Sequence, residues 1–147
     1  MTRSSRCAPL LLALLATLAA GQTPPVLGDL EARVTLSKEE LGQLLPGARM
    51  SRLNTSGNTN AWKNDPGGSF IVSSDNRVTS GAISRGPSTA PGKWHISDDG
   101  RYCVLIEWKS VPPEEWCRFI VKAGGVYYGT RSDKIASERV YKLEISK

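Results

Sequence analysis

The chain has 147 residues, 39% of them hydrophobic, three cysteines, one histidine and a formal net charge of +5, enough for one domain with a real core. Its basic residues are scattered without a run of Lys or Arg, so nucleic acid is not expected as a partner, because phosphate binding needs clustered cations. A lone histidine, His95, cannot build a multi-histidine metal site, and no residue pattern asks for a cofactor.

Arg3 and Arg6 precede an uncharged stretch, Ala8 to Ala20, with small residues at its end. At about thirteen residues it is shorter than the roughly twenty a membrane-spanning helix needs and matches the apolar region of a secretory signal. Residues 1–21 are therefore expected to be a signal peptide cut after Ala20 or Gly21. The absence of a lipoprotein-type cysteine there points to a soluble product without a stable membrane anchor. Cleavage would remove Cys7, Arg3 and Arg6, leaving 17 basic against 14 acidic residues, a net charge of +3. The two remaining cysteines, Cys103 and Cys117, are an even pair in an exported chain, which suggests one disulfide and a periplasmic or secreted protein.

Residues 22–34 open on Pro24-Pro25 and read as a flexible entry segment. Ser37-Lys-Glu-Glu40 is a capping box. Leu41, Leu44 and Leu45 follow at helical spacing, and Pro46-Gly47 stops the run, predicting a helix over 38–45. Beyond Gly47 short β-favouring runs alternate with turn residues. Strands are expected over 48–54, 60–63, 69–73, 77–83, 93–97, 101–108, 116–121, 126–130 and 140–145. Residues 84–92 read as a polar loop, and 131–139 as a loop or a single helical turn. Short connections imply antiparallel neighbours. The fold class expected for residues 35–147, taken as one domain, is mainly β: a small antiparallel β-sandwich or partly closed β-barrel with one short N-terminal helix.

The hairpin over 100–121 carries the strongest local inference. A midpoint near Ser110 sets Cys103 opposite Cys117, Tyr102 opposite Arg118 and Val104 opposite Trp116, with a cation–π contact between Tyr102 and Arg118. Apolar residues on both hairpin faces suggest a central position, with the helix or another layer over the second face. Trp94, Trp108, Trp116, Tyr102 and Arg118 are the candidate binding residues, although core or edge-covering aromatics are the commoner case. Catalysis would require His95 to converge with Arg101 or Glu107. The paired acids Glu39/Glu40, Asp98/Asp99 and Glu114/Glu115 have ordinary places at a helix start, a turn and a loop tip. Asn54-Thr-Ser56 matches the glycosylation acceptor pattern.

The order LSKEELGQLLPGARM, GKWHISDDGRYCVLIEW, EEWCRFIV, GGVYYGT resembles the bacterial domain of unknown function 995 over about residues 35–130. The matching positions are Leu36, Leu41, Leu45, Gly47, Gly92, Trp94, Gly100, Cys103 and Cys117. Gly47-Ala-Arg49 stands where the usual pattern has Gly, then Asn or Lys, then Thr. The resemblance implies export and a β-rich fold, and no catalytic residue.

These observations lead to the expectation of an exported, non-enzymatic binding module. Its ligand would be an envelope glycan, a small apolar molecule inside a barrel, or an envelope protein. The alternative is an inhibitor of an envelope hydrolase that inserts a loop such as 109–115. An enzyme using His95 ranks third.

Overall fold

A computed structural model describes residues 23–76 and 86–147. Nine antiparallel strands occur among them: β1 (Val34–Thr35), β2 (Arg49–Leu53), β3 (Thr59–Lys63), β4 (Ser69–Ser74), β5 (Ser88–Ile96), β6 (Tyr102–Ile106), β7 (Glu114–Ala123), β8 (Val126–Thr130) and β9 (Val140–Ser146). The order β7-β6-β5-β4-β3-β2-β9-β8 returns to β7 through a β7–β8 ladder. Eight strands thus form a closed barrel, with β1 as an extra strand on β7. The fold is mainly β as expected, but neither a sandwich nor a partly closed barrel. Closure removes the free edges that a twisted sheet of this length would expose.

The α-helix, α1 (Lys38–Leu44), is not N-terminal, because β1 and a 3-10 turn at Leu27–Asp29 precede it. Its capping box forms as the sequence implies: the Glu40 N–H donates to the Ser37 hydroxyl, and the Ser37 N–H donates to the Glu40 carboxylate at 2.7 Å. The backbone bond, with help from the hydroxyl, lowers the Glu40 pKa from 4.5. Its support of the helix is therefore complete above that pH and is lost as the pH falls through the lowered value. Leu41 and Leu45 are fully buried and plug one barrel end against Trp62, Trp94 and Tyr102. Each such side chain contributes about 1.5–3 kcal/mol by leaving water.

Strand alternation fills the interior with Met50, Trp62, Phe70, Val72, Trp94, Tyr102, Val104, Ile106 and Ile120. A small-residue gap in this packing explains Gly92. The Phe70 ring lies over its α-carbon, in the space a β-carbon would occupy, so only glycine fits there.

Two stretches, 88–92 and the entry segment, differ from the sequence expectations. Residues 88–92 belong to β5 rather than to a polar loop, because Ala90 and Gly92 face inward opposite Val72 and Phe70. The entry segment packs: Leu27 and Leu30 form a second cluster with Val121 and Val140 on the barrel's outer wall. The N–H groups of Leu27 and Gly28 donate to the carbonyls of Glu138 and Ala136, both at 2.8 Å. That segment, and not α1, covers the second face of the hairpin at Val121. Residues 131–139 form an irregular loop tied down by the same bonds. The strand expected over 77–83 and the signal peptide expected over 1–21 lie outside the described residues.

Candidate functional site

The end of the barrel opposite α1 is formed where β2, β4, β6 and β8 finish and β7 and β9 begin. Here inward-facing positions turn polar. Arg52 follows Met50 by two residues on β2 and so shares its inward face. Asn60 lies opposite Arg52, and Ser74 lies opposite Asn60. On β7, Glu114, Trp116 and Arg118 face Ile106, Val104 and Tyr102. The hairpin register is therefore the expected one, and the Cys103–Cys117 disulfide forms across it with a Cα–Cα distance of 4.0 Å. It lies on the outer face, because both cysteines alternate with inward residues.

β7 is shared unevenly along its length. Residues 114–118 pair with β6, whereas the ladder to β8 covers only Phe119–Ala123. The other edge of the first half opens onto a cavity of about 460 Å³ at the mouth. Arg52, Arg118 and Arg131, together with Glu114 and Glu115, line it alongside Leu53, Trp116, Tyr141 and Leu143. Arg52 forms an ion pair with Glu114 and places its guanidinium 5.1 Å from the Trp116 ring centroid. Arg118 is half-buried, and its Nη1 donates to the Cys117 carbonyl at 2.9 Å. The cation–π contact expected between Tyr102 and Arg118 is replaced by that of Arg52 on Trp116, because Tyr102 meets Trp116 edge-on at 5.6 Å. Burial, then the nearby positive charge of Arg131, lower the Arg118 pKa, with Arg52 adding to the effect and Tyr141 and Glu138 opposing it.

Several polar atoms here have no hydrogen-bond partner: Arg52 Nε, Trp116 Nε1, and both side-chain heteroatoms of the fully buried Asn60. Such groups are few in folded proteins, and each calls for an explanation. A second cavity of about 500 Å³, lined by Ser74, Ser88, Trp108 and Val111, adjoins the first and shares Asn54 and Glu114 with it.

Of the five candidate binding residues, Trp116 and Arg118 meet at the mouth, and Trp108 lines the adjoining cavity. Trp94 and Tyr102 belong to the core. The Trp94 indole N–H donates to the Asp65 carbonyl at 2.9 Å. The Tyr102 hydroxyl donates to Asn64 Oδ1 at 2.8 Å and accepts from the Trp62 indole at 3.1 Å. Burial pushes the Tyr102 phenol pKa up. His95 is exposed on the outer wall opposite Cys103. Glu107 is exposed, and Arg101 pairs with Asp99 at 2.8 Å. Sequence reasoning missed Arg52, Asn60 and Arg131. The signal for Arg52 was its even spacing from Met50 on a strand whose inward face is otherwise apolar.

No curated protein and no solved structure matches the chain. A family model described as a protein of unknown function (DUF995) matches residues 14–137, in agreement with the resemblance carried by the Gly92, Trp94, Gly100, Cys103 and Cys117 positions. The chain belongs to the DUF995 family.

Proposed function

We propose that this protein is an exported, non-enzymatic binding module that holds a small ligand at the open end of its barrel. The observation that carries this reading is the pair of unpartnered donors, Arg52 Nε and Trp116 Nε1, on residues that line a cavity of about 460 Å³. Cavities of roughly 300–1,000 Å³ suit small molecules, and unsatisfied donors in a half-buried wall are what a polar ligand would satisfy. Below the mouth the barrel is packed with aromatic side chains, which argues against an apolar molecule deep inside. Export is supported by the Ala8–Ala20 stretch and fits a domain closed by one disulfide.

Native mass spectrometry of the protein recovered from the extracytoplasmic fraction tests both parts. The expected spectrum starts at Gly21 or Gln22 and carries a small-molecule adduct that Arg118→Ala loses. An intact Met1 would contradict export, and an adduct-free wild type would contradict the binding reading. A second reading, inhibition of an envelope hydrolase, is favoured by the exposed loop 109–113, where Val111 is 58% exposed. A protein complex in the same spectra that Val111→Asp abolishes would support it.

A further inference from the structure

We propose that the mouth cavity binds a small organic anion, a carboxylate or phosphate on a compact apolar body, gripped by Arg118, Arg131 and Arg52. The inference deepens the reading of the mouth as a ligand site and rests on it. It follows from counting what the wall offers and what it lacks. Arg118 has five N–H donors in a planar fork, and one of them is used on the Cys117 carbonyl. No carboxylate of the described residues lies within ion-pair distance of it. A half-buried guanidinium without a direct ion pair is costly, and Arg131 and Arg52 repel it while Glu138 attracts it from beyond ion-pair distance. Glu114 is engaged by Arg52, and Glu115 stands at the cavity rim, so the lining holds three arginines against two carboxylates, a net charge of +1.

Buried atoms of two lining residues add to the imbalance. Arg52 Nε and Trp116 Nε1 are both donors, with no orphaned acceptor among the lining side chains to match them. A wall with unpaired donors and an excess of guanidinium over carboxylate is complementary to a ligand that brings acceptors and negative charge, and Arg forks pair with carboxylate or phosphate in bidentate fashion. The same lining has an apolar part, Leu53, Tyr141 and Leu143, with Leu53 66% and Tyr141 43% exposed. That apolar part would cover a hydrocarbon or ring attached to the anion. The apolar body separates this proposal from simple phosphate capture.

Titration calorimetry on the mature protein with phenyl phosphate, benzoate, benzamide and inorganic phosphate tests it. The expected result is saturable binding of phenyl phosphate or benzoate, at least tenfold tighter than that of neutral benzamide. Inorganic phosphate should bind more weakly than phenyl phosphate. Arg118→Gln should weaken anion binding at least tenfold, Arg118→Lys should restore part of it, and His95→Gln on the outer wall should leave it unchanged. If Arg118→Gln does not fold, Arg131→Gln, on an exposed loop, should give a loss of severalfold. Benzamide binding as tightly as benzoate would overturn the anion inference while leaving the mouth as a ligand site. Inorganic phosphate binding as tightly as phenyl phosphate would remove the apolar body. No binding of any probe would overturn both this inference and the reading it rests on.

Discussion

Replacing Cys103 and Cys117 together by serine is expected to lower the melting temperature by on the order of 10 °C in oxidising buffer. The bridged residues are 14 apart in sequence, and a loop of that size restricts the unfolded chain by about 3 kcal/mol in the chain-entropy model. For a domain of this size each kcal/mol moves the midpoint by roughly 2–8 °C. The position of the bridge adds a local effect. Residues 114–118 of β7 have a ladder partner on β6 but none on β8, so the disulfide reinforces the one seam that holds Glu114, Trp116 and Arg118 in place. Scanning calorimetry of the two proteins should show the shift, and any ligand that binds at the mouth should bind the serine variant more weakly. An unchanged midpoint would mean that the seam is secured by packing alone.

The second large effect is expected at Asn64. This side chain is fully buried, accepts from the Trp62 indole at 3.0 Å and the Tyr102 hydroxyl at 2.8 Å, and donates to the Leu45 carbonyl at 3.3 Å. It thereby ties β3, β6 and the end of α1 into one polar knot inside an apolar core. Asn64→Ala strips all three partners and leaves a void. Each buried polar group left unsatisfied costs about 1–3 kcal/mol, although the Trp62 indole keeps a bond to the Tyr102 hydroxyl at 3.1 Å. A loss of about 3–5 kcal/mol is expected in denaturant unfolding, a large share of the roughly 5–15 kcal/mol that stabilises a typical domain. Tyr102→Phe, which removes one hydroxyl and keeps the ring, should cost only about 1 kcal/mol. Equal losses for the two variants would show that the Tyr102 hydroxyl carries the whole effect and that the bonds of Asn64 to Trp62 and Leu45 add nothing.

Local signals in the sequence were followed closely by the structure. The Ser37/Glu40 box, the Pro46-Gly47 stop and the facing of Cys103 and Cys117 each depend on residues near in sequence or on a single hairpin register, and each is found. Long-range closure was not legible. Whether β7 meets β8 around a barrel or lies in a second sheet depends on the twist and stagger of all eight strands, which no segment encodes alone. The loop reading of 88–92 failed because Pro91 and Gly92 are turn-formers by local preference, while their cross-strand partners Ile71 and Phe70 hold them in a strand. The candidate site was half visible. Aromatic residues drew attention to Trp94 and Tyr102, whose large apolar area belongs to the core. Arg52 and Arg131 acquire meaning only when the barrel closes and brings β2 and the β8–β9 connection beside β7.

Amide chemical shifts of the labelled mature protein during titration with phenyl phosphate address the central claim, that the mouth of the barrel is where this protein meets its ligand. The account predicts progressive, saturable shifts at Arg52, Trp116, Arg118 and Gly129, with Leu41 and Leu45 at the plugged end unmoved. Shifts confined to the outer wall around His95 and Cys103, or to α1, would contradict it.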